Sequence, residues 1–174
     1  VDRRLFLIPL AVVAPASAGH ATVYMTAEQA QATMFPGETL TASFRTLTDA
    51  QVSAIRKAAG VSPLGRQLKA WRASGGGWLI IDEVVGKHEF IPFAVAIDPT
   101  GAVKSVEILE YRETYGGQVR DPRWRAQFTG KRAGAGPKLG VDIKNISGAT
   151  LSSKHVTDGV RRLLDTYMIV LAHG

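Results

Sequence analysis

The chain has 174 residues, 45% of them hydrophobic, a mean hydropathy of +0.03 and a formal charge of +6, of which the first four residues supply +1; this is the composition of a soluble domain long enough to bury a core. Its basic residues rarely cluster beyond pairs such as Arg56-Lys57, Lys131-Arg132 and Arg161-Arg162, so the concentrated stripe of a nucleic-acid surface is missing and no nucleic-acid partner is expected. The lack of cysteine excludes disulfides, thiolate nucleophiles and thiolate-held iron–sulfur clusters together.

Residues 1–20 read as an export signal. Arg3 and Arg4 precede an apolar stretch from Leu5 to Ala14, and Ala16-Ser17-Ala18 fits an A-x-A cleavage pattern. Interrupted by Pro9 and Pro15, the stretch is short for a spanning helix; the alternative is a helix buried in the domain. The export reading starts the mature protein near Gly19 to Thr22 and places it in the periplasm, free or membrane-associated, with no stable transmembrane segment.

An N-terminal helical extension is expected over 21–66. Thr26 stands three residues before Gln29, and Thr48 three before Gln51, so each pair can form a capping box, with Pro36-Gly37 and Gly60 as stops. From Gln67 the pattern changes to short β-branched and aromatic runs. Antiparallel strands are predicted at about 68–73, 77–85, 89–97 and 102–110, separated by Gly75-Gly76-Gly77, Gly86-Lys87 and the hairpin turn Asp98-Pro99-Thr100-Gly101.

Asp121 and Pro122 then open a short helix with Trp124 and Phe128 four apart on one face. After a Gly-rich loop from Lys131 to Gly140, the spacing of Val156, Val160, Leu163, Leu164, Tyr167, Met168 and Leu171 predicts a C-terminal amphipathic helix. The class is α+β: an antiparallel sheet with this helix packed on it and helices ahead of it.

Most candidate chemistry fails on spacing. The glycines of "GAGPKLG" miss G-x-G-x-x-G in the third position, which leaves a flexible turn. His20, His88, His155 and His173 lack ligand spacing, so no metal site is expected. Asp82-Glu83 and Glu107/Glu110 resemble carboxylate pairs but read better as charges on a solvated sheet face. No G-x-S-x-G occurs for a serine nucleophile. What is left is "NISGATLSS". Ser152 or Ser153 would cap the last helix, with Thr150 just upstream beside free amides and the positive helix end, where a phosphate is stabilised. The residues alone leave both a phosphate site and a plain capped turn open.

"NISGATLSS" followed by "VTDGV" resembles the flavinylation motif of the FMN-binding domain family, whose members include the C subunit of the sodium-translocating NADH:quinone reductase and the G subunit of the Rnf electron-transport complex. "EYRETYGGQVRDPRWRAQFTGK" is similar to that family's E-T-P-G-L-G stretch with its following Trp and Gln-Phe pair, matched here by Glu113, Thr114, Gly116, Trp124, Gln127 and Phe128. Tyr115, Gly117 and Gln118 stand where the family has Pro, Leu and Gly, and Lys144 where it often has Asp.

The resemblance implies an FMN-binding domain at 67–174, with FMN joined through a phosphoester bond to Thr150 by a flavin transferase that uses FAD as donor. Ser147, Gly148 and Ala149 would form the recognition turn, with Ser152 and Ser153 orienting the helix terminus and hydrogen-bonding the phosphate. Glu113, Thr114 and Gly116 would lie against the flavin, with Tyr115 stacked on it and Lys144 paired with the phosphate or with the reduced flavin's negative charge. No catalytic residue is implied. The implied function is an electron carrier between membrane-associated or periplasmic redox partners; the alternatives are a reversible FMN-binding domain of a reductase and a flavin-free interaction module of the same fold.

Overall fold

The structure, a computed structural model, describes residues 22–173; the expected export signal at 1–20 lies outside the described residues. After β1 (Thr22–Val23), both capping boxes form. In α1 (Ala27–Met34) the Thr26 hydroxyl accepts the Gln29 amide while the Gln29 carboxamide accepts the Thr26 amide, and Thr48 and Gln51 repeat this for α2 (Asp49–Ala59). Gly60 ends α2 in the left-handed conformation, φ 74°. Between these helices lie β2 (Leu40–Ala42) and β3 (Arg45–Thr46), two strands too short to leave a periodic signal.

The four predicted strands form a meander: β4 (Gln67–Ala73), β5 (Trp78–Val85), β6 (Phe90–Ile97) and β7 (Val103–Ile108). The antiparallel sheet has the order β2-β4-β5-β6-β7, with β3 also on β4, while β8 (Glu110–Tyr111) pairs separately with β1. The segment 21–66 therefore supplies strands to this pairing as well as helices. Alternation along β6 divides the core. Ile91, Phe93 and Val95 join the cluster under α2 and the C-terminal helix, whereas Ala94 and Ala96 face Ala30, Met34 and Phe35 of the α1 region.

Asp121 and Pro122 start α3 (Pro122–Arg125) as expected, and the rings of Trp124 and Phe128 meet edge to face at 5.2 Å. The last helix, α4 (Thr150–Thr166), continues into a π-helical turn at Tyr167–Leu171. Its predicted apolar residues are buried except Met168, which at about 100° per residue falls on the margin of the arc.

Two features set α4 on the sheet. Gly159 sits in the helix interior, where glycine is worth about 1 kcal/mol less than alanine, because a Cβ there would lie 2.6 Å from Val84 Cγ1 and 2.9 Å from Phe93 Cζ. Three residues on, the buried Arg162 reaches Asp82 at 2.8 Å, the Glu83 carbonyl at 2.9 Å and the Ser62 carbonyl at 3.3 Å. Asp82, expected on a solvated face, is thus the counter-ion of a buried arginine. Glu107 pairs with Arg125 at 2.5 Å and Glu110 with Arg112 at 2.6 Å, so the apparent carboxylate pairs are held by separate cations.

The Gly-rich loop, expected to be a flexible turn, packs on α4. Arg161 donates to the Pro137 carbonyl at 3.0 Å, and the Gly134 amide approaches Asp165 at 3.4 Å. Burial raises the Asp165 pKa, with the Gly134 amide and the charge of Arg161 only partly opposing it.

Gly159→Ala is expected to destabilise the protein in urea despite the better helix former, because about 1–3 kcal/mol of overpacking outweighs the propensity gain. Asp165 binds its proton more tightly folded than unfolded, so its contribution falls as pH rises from the ordinary carboxylate value through the raised one. Asp165→Asn should therefore raise the urea midpoint at neutral pH and flatten its decline across that window.

Candidate functional site

The turn ahead of α4 closes on itself. The Ala149 amide donates to the Ile146 carbonyl at 3.0 Å, and Gly148 in third position has φ +80°, as a type II turn requires. Ala149 is the N-cap and Thr150 the first helical residue, with no side chain capping the helix. This corrects the expected start. The Ala149 carbonyl already accepts the Ser153 amide at 2.9 Å, so the helical ladder is running before either serine could cap it.

Ser152 and Ser153 instead lie buried in the first turn, where the Ser153 hydroxyl donates to the Ala149 carbonyl at 2.8 Å and the Ser152 hydroxyl meets the Tyr111 hydroxyl at 2.9 Å. Both are engaged within the protein, so no side chain caps the first backbone amides of the helix. Thr150 is exposed, and its Oγ1 accepts a hydrogen bond from Asn145 Nδ2 at 3.1 Å.

A buried junction fastens the preceding loop to this turn. Tyr111 donates its one hydroxyl proton to the Tyr115 carbonyl at 2.5 Å, so Ser152 is the donor in the contact between the two hydroxyls. Burial pushes the Tyr111 hydroxyl pKa up, the Ser152 bond opposes this and the Glu113 charge adds to it; the net rise keeps Tyr111 a donor at neutral pH. Gly116 packs against the same atoms with φ +98°: a Cβ there would lie 2.3 Å from the Tyr111 hydroxyl and 2.9 Å from Ser152 Oγ.

Glu113 reaches the other way. Its Oε1 accepts the His88 amide at 2.5 Å and the Glu89 amide at 3.0 Å, beneath a turn where a Cβ on Gly86 would come within 2.5 Å of the same oxygen. Burial raises the Glu113 pKa, but hydrogen bonds from the Glu89, His88 and Lys87 backbone outweigh it and hold the carboxyl below its ordinary value.

Around these contacts opens a cleft of about 490 Å³. It gathers Glu113, Thr114, Tyr115, Gly148, Ala149, Thr150 and Ser152 from the residues singled out in the sequence. Gly116 lines a second recess beside it, and Ser147 is exposed on the turn. Tyr115 is 81% exposed, leaving its ring accessible from solvent.

Lys144 is not brought into this cleft. It lines a separate groove with Trp124 and Gln127, its amide donating to Gln127 Oε1 at 2.9 Å and its carbonyl accepting Trp124 Nε1 at 2.7 Å. Trp124 and Gln127 thereby anchor the chain leading into the turn ahead of α4. The sequence reading missed Lys87, His88 and Leu151, which also line the cleft. Gly86-Lys87 announced a turn, but no local pattern says that this turn folds over Thr150. Among the described residues no three His, Asp or Glu side chains could hold a metal together, and no helix is long and apolar enough to cross a membrane.

Gly116→Ala is expected to lower thermal stability, by about 1–3 kcal/mol from overpacking alone, because its methyl group must displace the Tyr111 hydroxyl. Adding Tyr111→Phe removes the atom in the way. Denaturation of both single variants and the double should show a coupling that recovers part of the loss.

Compared with curated proteins, the chain has no match. Residues 86–165, which contain every residue lining the cleft, match the model of the FMN-binding domain family.

Proposed function

We propose that the protein is an exported electron carrier whose FMN is held by a phosphoester bond to Thr150. The observation that carries this reading is the placement of Thr150: exposed, first in a 17-residue helix without a side-chain cap, and at the mouth of the cleft. The residues present suit FMN. The uncapped amides and helix dipole favour a phosphate, and Tyr115, 81% exposed at the rim, offers a ring face to a planar heterocycle. Thr114 and Leu151 supply further contact in the cleft. When bound, FMN supplies redox chemistry that these side chains lack, and the protein contributes attachment, orientation and environment.

In loading, Thr150 Oγ attacks the FMN-side phosphorus of FAD presented by a flavin transferase. The Oγ–P bond forms, the pyrophosphate P–O bond breaks, AMP leaves with the bonding electron pair, and the hydroxyl proton passes to solvent. Asn145 assists by donating to Oγ1, which leaves the threonine's own proton free to depart. Export rests on the signal-like residues 1–20, and the redox partners are periplasmic or membrane-associated proteins that approach the open cleft in turn.

Intact and peptide mass spectrometry of protein exported from a host with a flavin transferase, beside a Thr150→Ala control, tests this reading. An FMN-sized addition is expected on the peptide containing Thr150 and on nothing in the control. Flavin that separates on denaturation would instead establish reversible binding, and a colourless chain a flavin-free module; either overturns the covalent carrier.

A further inference from the structure

We infer that the β5–β6 turn is a wall of the flavin cleft, that its Lys87 favours the reduced cofactor, and that Glu113 is the positioning residue holding the turn in place; this rests on the proposed attachment to Thr150. Lys87 and His88 line the same cleft as Thr150 although they come from the tip of a hairpin. Little in the hairpin itself fixes that tip. The last strand pair, Val85 with Phe90, is exposed on both sides, and one backbone bond, Gly86 amide to Glu89 carbonyl at 2.7 Å, closes the turn.

The tip is pinned from outside. On one flank His155 of α4 donates through Nδ1 to the Val85 carbonyl. On the other, Glu113 accepts the His88 and Glu89 amides through one oxygen. Gly86 is the residue that gives this oxygen room, since any side chain there would collide with it. Glu113 therefore acts through the turn, with its carboxylate engaged by backbone donors.

Charge gives the wall its effect. Reduction adds electrons to the bound ring system, so a cation on the cleft wall stabilises the reduced form and raises the midpoint potential. Among the described residues Lys87 takes part in no ion pair, whereas Lys154, in the neighbouring groove beside Val85, is neutralised by Asp158 at 2.7 Å. Glu113 is the carboxylate lining the same cleft, and Glu89 lies on the turn itself.

The test uses the full chain loaded in a host with a flavin transferase: loading is measured by mass, and the midpoint by spectroelectrochemical titration. Lys87→Gln should lower the reduced-to-oxidised ratio at fixed potential three- to tenfold, tenfold being about 30 mV for a two-electron couple, while Lys154→Gln leaves it unchanged. Glu113→Ala removes a negative charge, which alone would raise the potential; loss of the turn's anchor should lower it instead. Glu113→Gln, which keeps an acceptor oxygen, should not show that fall. A loaded wild type with an unaltered midpoint in Lys87→Gln, or a raised one in Glu113→Ala, overturns the inference by itself. Failure of Glu113→Ala to fold still leaves the exposed Lys87→Gln to decide. An unloaded wild type overturns the covalent reading, and the inference falls with it.

Discussion

The Tyr111 hydroxyl is the atom on which the arrangement of the cleft depends. It gives its proton to the Tyr115 carbonyl and receives one from Ser152, joining β8, the following loop and the first turn of α4 in one buried contact. Leaving any of these groups buried without a partner costs about 1–3 kcal/mol, so the loop and the helix cannot slide independently. Gly116 makes the same demand sterically, because no side chain fits between that hydroxyl and Ser152. The two walls beside Thr150 are consequently set by a hydrogen-bond junction within the fold, before any ligand arrives.

The other anchors of α4 lie further along the helix and are of a different kind. Gly159 allows contact with Val84 and Phe93 that no larger residue permits, and Arg162 carries a buried charge whose terminal nitrogens reach Asp82 and two carbonyls while its Nε has no partner. Removing one partner of such a pair strands a charge in the interior. This helix is thus fixed by a polar junction at its first turn and by close packing and an ion pair beyond it. A site built on an element held in this way has little freedom to drift from its geometry. The same economy explains why carboxylates that look available in the sequence are not: Asp82, Glu107, Glu110 and Asp158 each have a cation, and Glu113 has amides. No pair of them is left to act as acid and base, which suits the proposed flavin carrier.

What could be read in advance was written within a few residues. Thr26 with Gln29 and Thr48 with Gln51 carry their partners three positions away, and the Asp98 carboxylate finds the Thr100 and Ala102 amides inside its own turn at 2.8 and 3.0 Å. The alternation of β6 and the apolar arc of α4 are equally local. Where the reading failed, the deciding partner was distant. β2 and β3 exist because β4 offers an edge to them, and Ser152 is diverted from capping by a tyrosine from the opposite side of the cleft. Lys144, the cation singled out in the sequence, is near Thr150 along the chain, yet Trp124 and Gln127 hold its backbone along another groove while the hairpin carries Lys87 across.

That contrast bears on how the family's motifs should be understood in this chain. Trp124 and Gln127 hold the chain entering the turn ahead of α4, Gly116 admits the Tyr111 junction, and Glu113 supports a hairpin; each serves the placement of Thr150 and its surroundings through the backbone. The positions where the chain departs from the family pattern behave differently. Tyr115 exposes 81% of its surface while its carbonyl is held at the junction, so its backbone is constrained and its side chain is not. A substitution at such a position changes what a bound ring or an approaching partner meets without moving the frame. Variation in this cleft is therefore cheap at Tyr115 and Lys87 and expensive at Gly116, Glu113 and Tyr111, a division set by which atoms the fold itself requires.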